Sequence, residues 1–115
     1  MKTFCVLIIE DEFLLAMDLK DIIIEVIPAE VIVKRSVATA KKVLHKSIDF
    51  AFLDVDVLNG KTFVVAEILA QKHVPFAFVS ASQHQQLPRG WQDVPFIPKP
   101  FRRAHIERVL HASLH

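Results

Sequence analysis

The 115-residue chain has one cysteine, two glycines and no apolar stretch of membrane length. Its longest apolar runs, Phe4–Ile9 and Val74–Val79, fall far short of the roughly 20 residues that a bilayer requires. Cys5 has no second cysteine to pair with, so an internal disulfide is excluded. No charge of one sign dominates: the formal net charge is +1, which provides no basic field for nucleic acid. Met1-Lys2-Thr3 followed by six apolar residues has the outline of a secretory leader. That run meets Glu10-Asp11-Glu12 with no small-residue cleavage site, so the leader reading is set aside and the cytoplasm is the expected location. Repeats, low-complexity tracts and linkers are absent. Disorder is excluded because 52% of the residues are hydrophobic and the chain is nearly neutral. The length suits one domain, so residues 1–115 are expected to form a single domain with no output domain.

What is present is an alternation of short apolar runs with helical patterns. Phe4–Ile9 is apolar throughout, as expected of a strand buried on both faces. Leu15, Leu19, Ile22, Ile23 and Val26 then recur at helical spacing up to Pro28. Val31–Arg35 reads as an edge strand, Phe50–Leu53 as a third strand ending at Asp54, Phe76–Val79 as a fourth ending at Ser80, and Pro95–Ile97 as a short fifth. Helices are expected around Ala40, Val43 and Leu44, around Val64, Val65, Ile68 and Leu69, and along Ile106, Val109, Leu110 and Leu114. Such an order predicts an α/β fold: a flavodoxin-like, doubly wound (βα)5 arrangement with a parallel five-stranded sheet in the order 2-1-3-4-5. Pro88 and Gly90 interrupt residues 82–93, so the fourth helix is expected to be shortened to one turn or missing. Trp91 is expected to pack loosely over that segment.

Polar residues gather where the strands end. Glu10 and Asp11 follow the first strand, Asp54 the third, Ser80 the fourth and Lys99 the fifth. Open parallel sheets form their sites at these carboxyl ends, where strand order reverses. Three carboxylates there repel one another by roughly 4 kcal/mol per pair at about 4 Å and an effective dielectric near 20. Lys99 offsets part of that charge, and Mg²⁺, which prefers carboxylate, water and phosphoryl oxygens, would offset the rest. Asp54 then suits a carboxylate nucleophile that forms an aspartyl phosphate, with Ser80 donating to a phosphoryl oxygen and Lys99 balancing another.

Val6-Leu7-Ile8-Ile9-Glu10-Asp11-Glu12, Phe52-Leu53-Asp54-Val55-Asp56, Phe78-Val79-Ser80-Ala81 and Pro98-Lys99-Pro100-Phe101 together resemble the signature of receiver domains of two-component response regulators. The resemblance spans the chain. It implies that Asp54 accepts a phosphoryl group from a histidine of a sensor kinase or a histidine phosphotransferase. It implies Mg²⁺ bound by Asp11, Asp54 and the backbone carbonyl of Asp56, with Glu10 helping through water. It also implies a Ser80–Phe96 pair that rearranges on phosphorylation and a cis peptide at Lys99-Pro100. The stretch Pro75-Phe76-Ala77-Phe78-Val79-Ser80-Ala81 resembles a variant of the Pro-Phe-x-Phe-Ala-Thr-Gly pattern of certain stand-alone receivers. A switch, relay or phosphate sink, monomeric or weakly dimeric, with a possible downstream protein target, is the function this likeness implies.

Phe13, Met17 and Ile24 form a second apolar row on the first helix. It reads either as a wide buried face or, with Leu14 and the Pro100-Phe101 corner, as a docking surface for a helical phosphodonor. Asp54-Val55-Asp56 also resembles the nucleophile motif of haloacid-dehalogenase-type phosphohydrolases, but there the nucleophile lies on the first strand and the acidic pair comes late. A phosphorylation-independent interaction module is the third reading.

Overall fold

Unbroken apolar runs become buried parallel strands. The computed structural model describes residues 2–58, 60–81 and 87–114. Its elements are β1 (Phe4–Ile9), α1 (Phe13–Val26), β2 (Ala29–Lys34), α2 (Val37–Lys41), β3 (Phe50–Leu53), β4 (Asp56–Val57), β5 (Gly60–Lys61), α3 (Phe63–Gln71), β6 (Phe76–Ser80), β7 (Phe96–Pro98) and α4 (Arg103–Ser113). Five strands form one parallel sheet in the order β2-β1-β3-β6-β7. β6 and β7 are the fourth and fifth strands of that sheet, so the order is the expected 2-1-3-4-5. β4 and β5 form a separate antiparallel ribbon between β3 and α3.

Alternation along the strands builds two apolar layers. Leu7, Ile9, Leu53 and Phe78 face α2 and α3, where they pack with Ala40, Val65, Ala66 and Leu69. Val6, Ile8, Phe50, Phe52 and Val79 face α1 and α4, where they pack with Leu19, Ile23, Ile106 and Leu110. Central strands with both faces covered need apolar residues at every position, which is why β1 and β3 show no polar alternation. Both layers are deep, and their helices fix the strand ends on which the polar residues sit.

Several local expectations are corrected. The buried stripe of α1 is Ala16, Leu19 and Ile23, with Leu15, Ile22 and Val26 half-buried on its flanks. Val64 is exposed, because it lies about 100° around α3 from Val65 and off the buried face of Val65, Ala66 and Leu69. β2 begins at Ala29 rather than Val31, since the Phe4↔Ala29 register extends the ladder. Trp91 is not loosely packed: its ring stands edge-on to Phe76 at 5.6 Å and to Phe78 at 6.5 Å. Between β6 and β7, residues 82–86 of the expected short turn lie outside the described residues, and 87–95 form turns without a helix. Among the described residues no helix lies between β6 and β7, and Leu87 and Trp91 cover the sheet there. Among the described residues, no helix is long and apolar enough to cross a membrane.

Candidate functional site

Parallel pairing of β1 with β3 puts Ile9 opposite Leu53, so the next residues, Glu10 and Asp54, emerge side by side at the carboxyl edge. Backbone bonds hold both. The Asp54 N–H donates to the Ile9 carbonyl at 2.9 Å, and the Glu10 N–H donates to the Lys34 carbonyl at 3.0 Å. Ser80 ends β6 and is buried, and its carbonyl accepts the Lys99 N–H at 3.1 Å, which ties the ends of β6 and β7 together. The Lys99-Pro100 peptide is cis.

Lys99 lies between the two acids. Its Nζ is 2.6 Å from Glu10 Oε1 and 2.9 Å from Asp54 Oδ2. Glu10 and Asp54 are only 4% and 7% exposed, so these are buried charges and need their partner. Burial alone would lower the Lys99 pKa. The hydrogen bonds and charges of Glu10 and Asp54 outweigh it and hold the ammonium above the usual lysine value. Glu10 Oε2 accepts the Glu12 N–H at 3.1 Å, so this carboxylate also fastens the start of α1. Besides the water-mediated part in metal binding expected of it, Glu10 pairs directly with Lys99.

Asp11 completes the group. One carboxylate oxygen from each of Glu10, Asp11 and Asp54 lies within 4.8 Å of the others. Three carboxylates, two of them paired with a single ammonium, leave a net negative charge, and an acidic cluster of this kind is compatible with Mg²⁺. Arg35 Nη2 donates to the Asp11 carbonyl at 3.2 Å and so braces the loop from β2.

The Asp56 side chain stands outside the carboxylate group; it is exposed and forms an ion pair with Lys61 across the β4–β5 ribbon. The Thr62 N–H bonds the Val55 carbonyl at 3.0 Å, which makes Asp56 and Lys61 a non-hydrogen-bonded pair of that ladder. The Asp56 carbonyl is thus not used by the ribbon.

The remaining expected residues divide. Phe96 is half-buried, opposite Phe78 in the β6–β7 register. Phe13 and Leu14 are 66% and 76% exposed at the start of α1, and Pro100 is exposed as well. Met17 and Phe101 are half-buried against the core layer shared by α1 and α4. The expected second row on α1 is therefore not uniform: Phe13 and Ile24 face outward, whereas Met17 helps fill the core.

Thr62 escaped the sequence reading. It is fully buried, and its hydroxyl donates to the Asp54 carbonyl at 2.6 Å. A threonine just before an apolar helical run reads as a helix cap, so no local signal pointed to Asp54.

No family model matches the chain, and no curated protein matches it. Solved structures do. The solution structure of SdrG from Sphingomonas melonis Fr1 is 33% identical over 100% of both chains, with a TM-score of 0.79. The response regulator PhyR from Brucella abortus is 26% identical over 98% of this chain and 48% of its own, with a TM-score of 0.80. The non-phosphorylated HemR receiver domain from Leptospira biflexa is 25% identical over 94% of each chain, with a TM-score of 0.78. The chain belongs to the receiver domains of response regulators. Asp54 follows the third strand of the chain rather than the first, and the acidic pair Glu10-Asp11 precedes it after β1, the reverse of the dehalogenase-type order. That arrangement sets aside the dehalogenase-type reading.

Proposed function

We propose that this receiver accepts a phosphoryl group on Asp54 from a phosphohistidine of a sensor kinase or histidine phosphotransferase, and works as a phosphorylation switch, relay or sink in the cytoplasm. The observation that carries the reading is the bridge of Lys99 between Glu10 and Asp54, 2.6 and 2.9 Å away, with Asp11 in the same carboxylate group. A buried acid held beside an ammonium is pre-placed as a nucleophile with a countercharge for the incoming group.

The step needs no other reactant. An oxygen of Asp54 attacks phosphorus, an O–P bond forms, and the P–N bond breaks with its electron pair returning to the donor imidazole. Lys99 stays beside the acceptor and offsets charge on a phosphoryl oxygen, and Ser80, at the end of the adjacent strand β6, donates to another. Asp11, Asp54 and the Asp56 carbonyl, with Glu10, would hold Mg²⁺, which when bound neutralises charge on the transferring phosphoryl oxygens. Hydrolysis reverses the state: water attacks phosphorus, and the carboxylate and inorganic phosphate separate. Ser80 and Phe96, on paired strands, are the residues assigned to the conformational response. Phe13, Leu14, Met17 and the Pro100-Phe101 corner are assigned to docking of the donor. Exposed Phe13 and Leu14 supply the contact, and half-buried Met17 and Phe101 fix its base. SdrG, 33% identical, is known in a BeF3-activated conformation, which supports the reading for this chain.

Phosphoryl uptake from labelled acetyl phosphate tests it. Wild-type protein should take up one alkali-labile phosphoryl group only with Mg²⁺ present, and Asp54→Asn should take up none. Equal labelling of the two proteins would overturn the assignment.

A further inference from the structure

Thr62 stands where a helix cap belongs, yet it does not cap. It is the residue before α3, and its side chain makes no bond to the helix's amides. A threonine at this position ordinarily gives its oxygen to an amide of the first turn. Here the hydroxyl points the other way, to the Asp54 carbonyl at 2.6 Å, while the Thr62 N–H takes the Val55 carbonyl at 3.0 Å. One fully buried residue thus grips two successive carbonyls at the end of β3.

The chain leaves the sheet and returns to bring it there. β4 departs after Asp54, turns, and comes back as β5 with Asp56 opposite Lys61 and Val57 opposite Gly60. Gly60 has φ +143, a conformation that other residues rarely adopt, which allows the return. Continuing that register by one pair puts Thr62 opposite Val55. Beyond it, Phe63 anchors α3, its ring edge-on to Phe78 of β6 at 5.8 Å. The Asp54 backbone is then fixed on both sides: its N–H by Ile9 of β1 and its carbonyl by Thr62.

We infer that Thr62 is a positioning residue for phosphoryl transfer. Its hydroxyl sets the orientation of the Asp54 peptide, and hence the line along which the carboxylate meets phosphorus. The inference rests on the reading of Asp54 as the acceptor. In-line displacement is sensitive to aim, and a misplacement near 1 Å costs on the order of 100-fold in rate. Loss of one hydrogen bond with the fold intact shifts the peptide by less, so the effect expected is about 10-fold. It falls on the maximal rate and not on the half-saturating concentration, because the phosphodonor itself touches Lys99 and Ser80 rather than Thr62.

The test compares Thr62→Val, which keeps the shape and removes the hydroxyl, with Thr62→Ser, which keeps the hydroxyl and removes the methyl. Acetyl phosphate is varied at fixed Mg²⁺, and melting temperatures are recorded on the same samples. Thr62→Val should lose about 10-fold in maximal rate with unchanged half-saturation, while Thr62→Ser stays within about two-fold of wild type. If Thr62→Val does not fold, Thr62→Ala takes its place against the same serine variant. A rate that follows melting temperature across the variants, or that is equal in all of them, overturns the positioning role while the acceptor reading stands. Failure of the wild-type protein itself to take up phosphate overturns the acceptor reading and the positioning role with it.

Discussion

Replacing Asp54 by asparagine should stabilise the metal-free protein even though it removes an ion pair. The Lys99 ammonium lies 2.9 Å from Asp54 Oδ2, an attraction of about 6 kcal/mol at an effective dielectric of 20. Against it stand Glu10 and Asp11, each with a carboxylate oxygen within 4.8 Å, which repel the Asp54 charge by at least about 3.5 kcal/mol apiece on the same scale. The two sides nearly cancel, with repulsion slightly ahead. Burial then decides the sign, since Asp54 is 7% exposed and removing a charge from water costs several kcal/mol. Asparagine has the same shape, accepts from Lys99 through its amide oxygen, and leaves Lys99 paired with Glu10 at 2.6 Å. The expected gain is about 1–2 kcal/mol, or roughly 3–8 °C in melting temperature for a domain of this size. Thermal unfolding followed by circular dichroism in EDTA reads it directly. Added Mg²⁺ should raise the wild-type transition by preferential binding to the folded state and move the asparagine variant less. A melting temperature for Asp54→Asn equal to or below wild type in EDTA would refute the electrostatic reasoning.

Three further outcomes follow from the same contacts. Lys99→Ala should lower stability by about 3 kcal/mol, because it strands two buried carboxylates, and should abolish phosphoryl uptake; urea unfolding and labelling check the two effects. Burial alone would raise the Asp49 pKa, but the hydrogen bonds from Lys2 at 2.9 Å and the Cys5 N–H at 2.7 Å outweigh it and hold the carboxyl below its ordinary value. Its stabilising effect is therefore present above the unfolded carboxylate pKa of 3.8 and is lost as pH falls through the lower folded value. Asp49→Asn should flatten the acid limb of a plot of melting temperature against pH below about 4, and an unchanged limb would remove this assignment. Leu14→Arg should slow transfer from a protein phosphohistidine about 10-fold while changing uptake from acetyl phosphate much less, because the small donor needs no docking face; equal slowing of both would dissociate Leu14 from docking.

Legibility in the sequence followed the physics of each feature. β1 and β3 matched their apolar runs at both ends, because a strand covered on both faces needs apolar residues throughout and stops where charge begins, at Glu10 and Asp54. The meeting of Glu10, Asp54 and Lys99 was legible because strand order and the need for a countercharge both point to one sheet edge. β2 and β7 shifted at their ends because pairing decides them: Phe4 recruits Ala29, and Ser80 recruits Pro98, which can close a ladder without an N–H of its own. Contacts distant in sequence left no local mark. Trp91 meets Phe76 and Phe78 only after β6 and β7 are side by side. Thr62 reaches Asp54 only through the β4–β5 ribbon, whose strands of two residues each give no periodic pattern. In α1, Ala16 begins the buried stripe that Leu19 and Ile23 continue, whereas hydrophobic size alone would choose Leu15.

The most direct measurement of the acceptor's identity is chemical. After incubation with acetyl phosphate and Mg²⁺, borohydride reduces an aspartyl phosphate to homoserine, and peptide mass spectrometry locates the converted residue. The account predicts homoserine at position 54 alone, and none in protein incubated without phosphodonor. Conversion at Asp11 or Asp56 in place of Asp54, or no conversion anywhere, would contradict it.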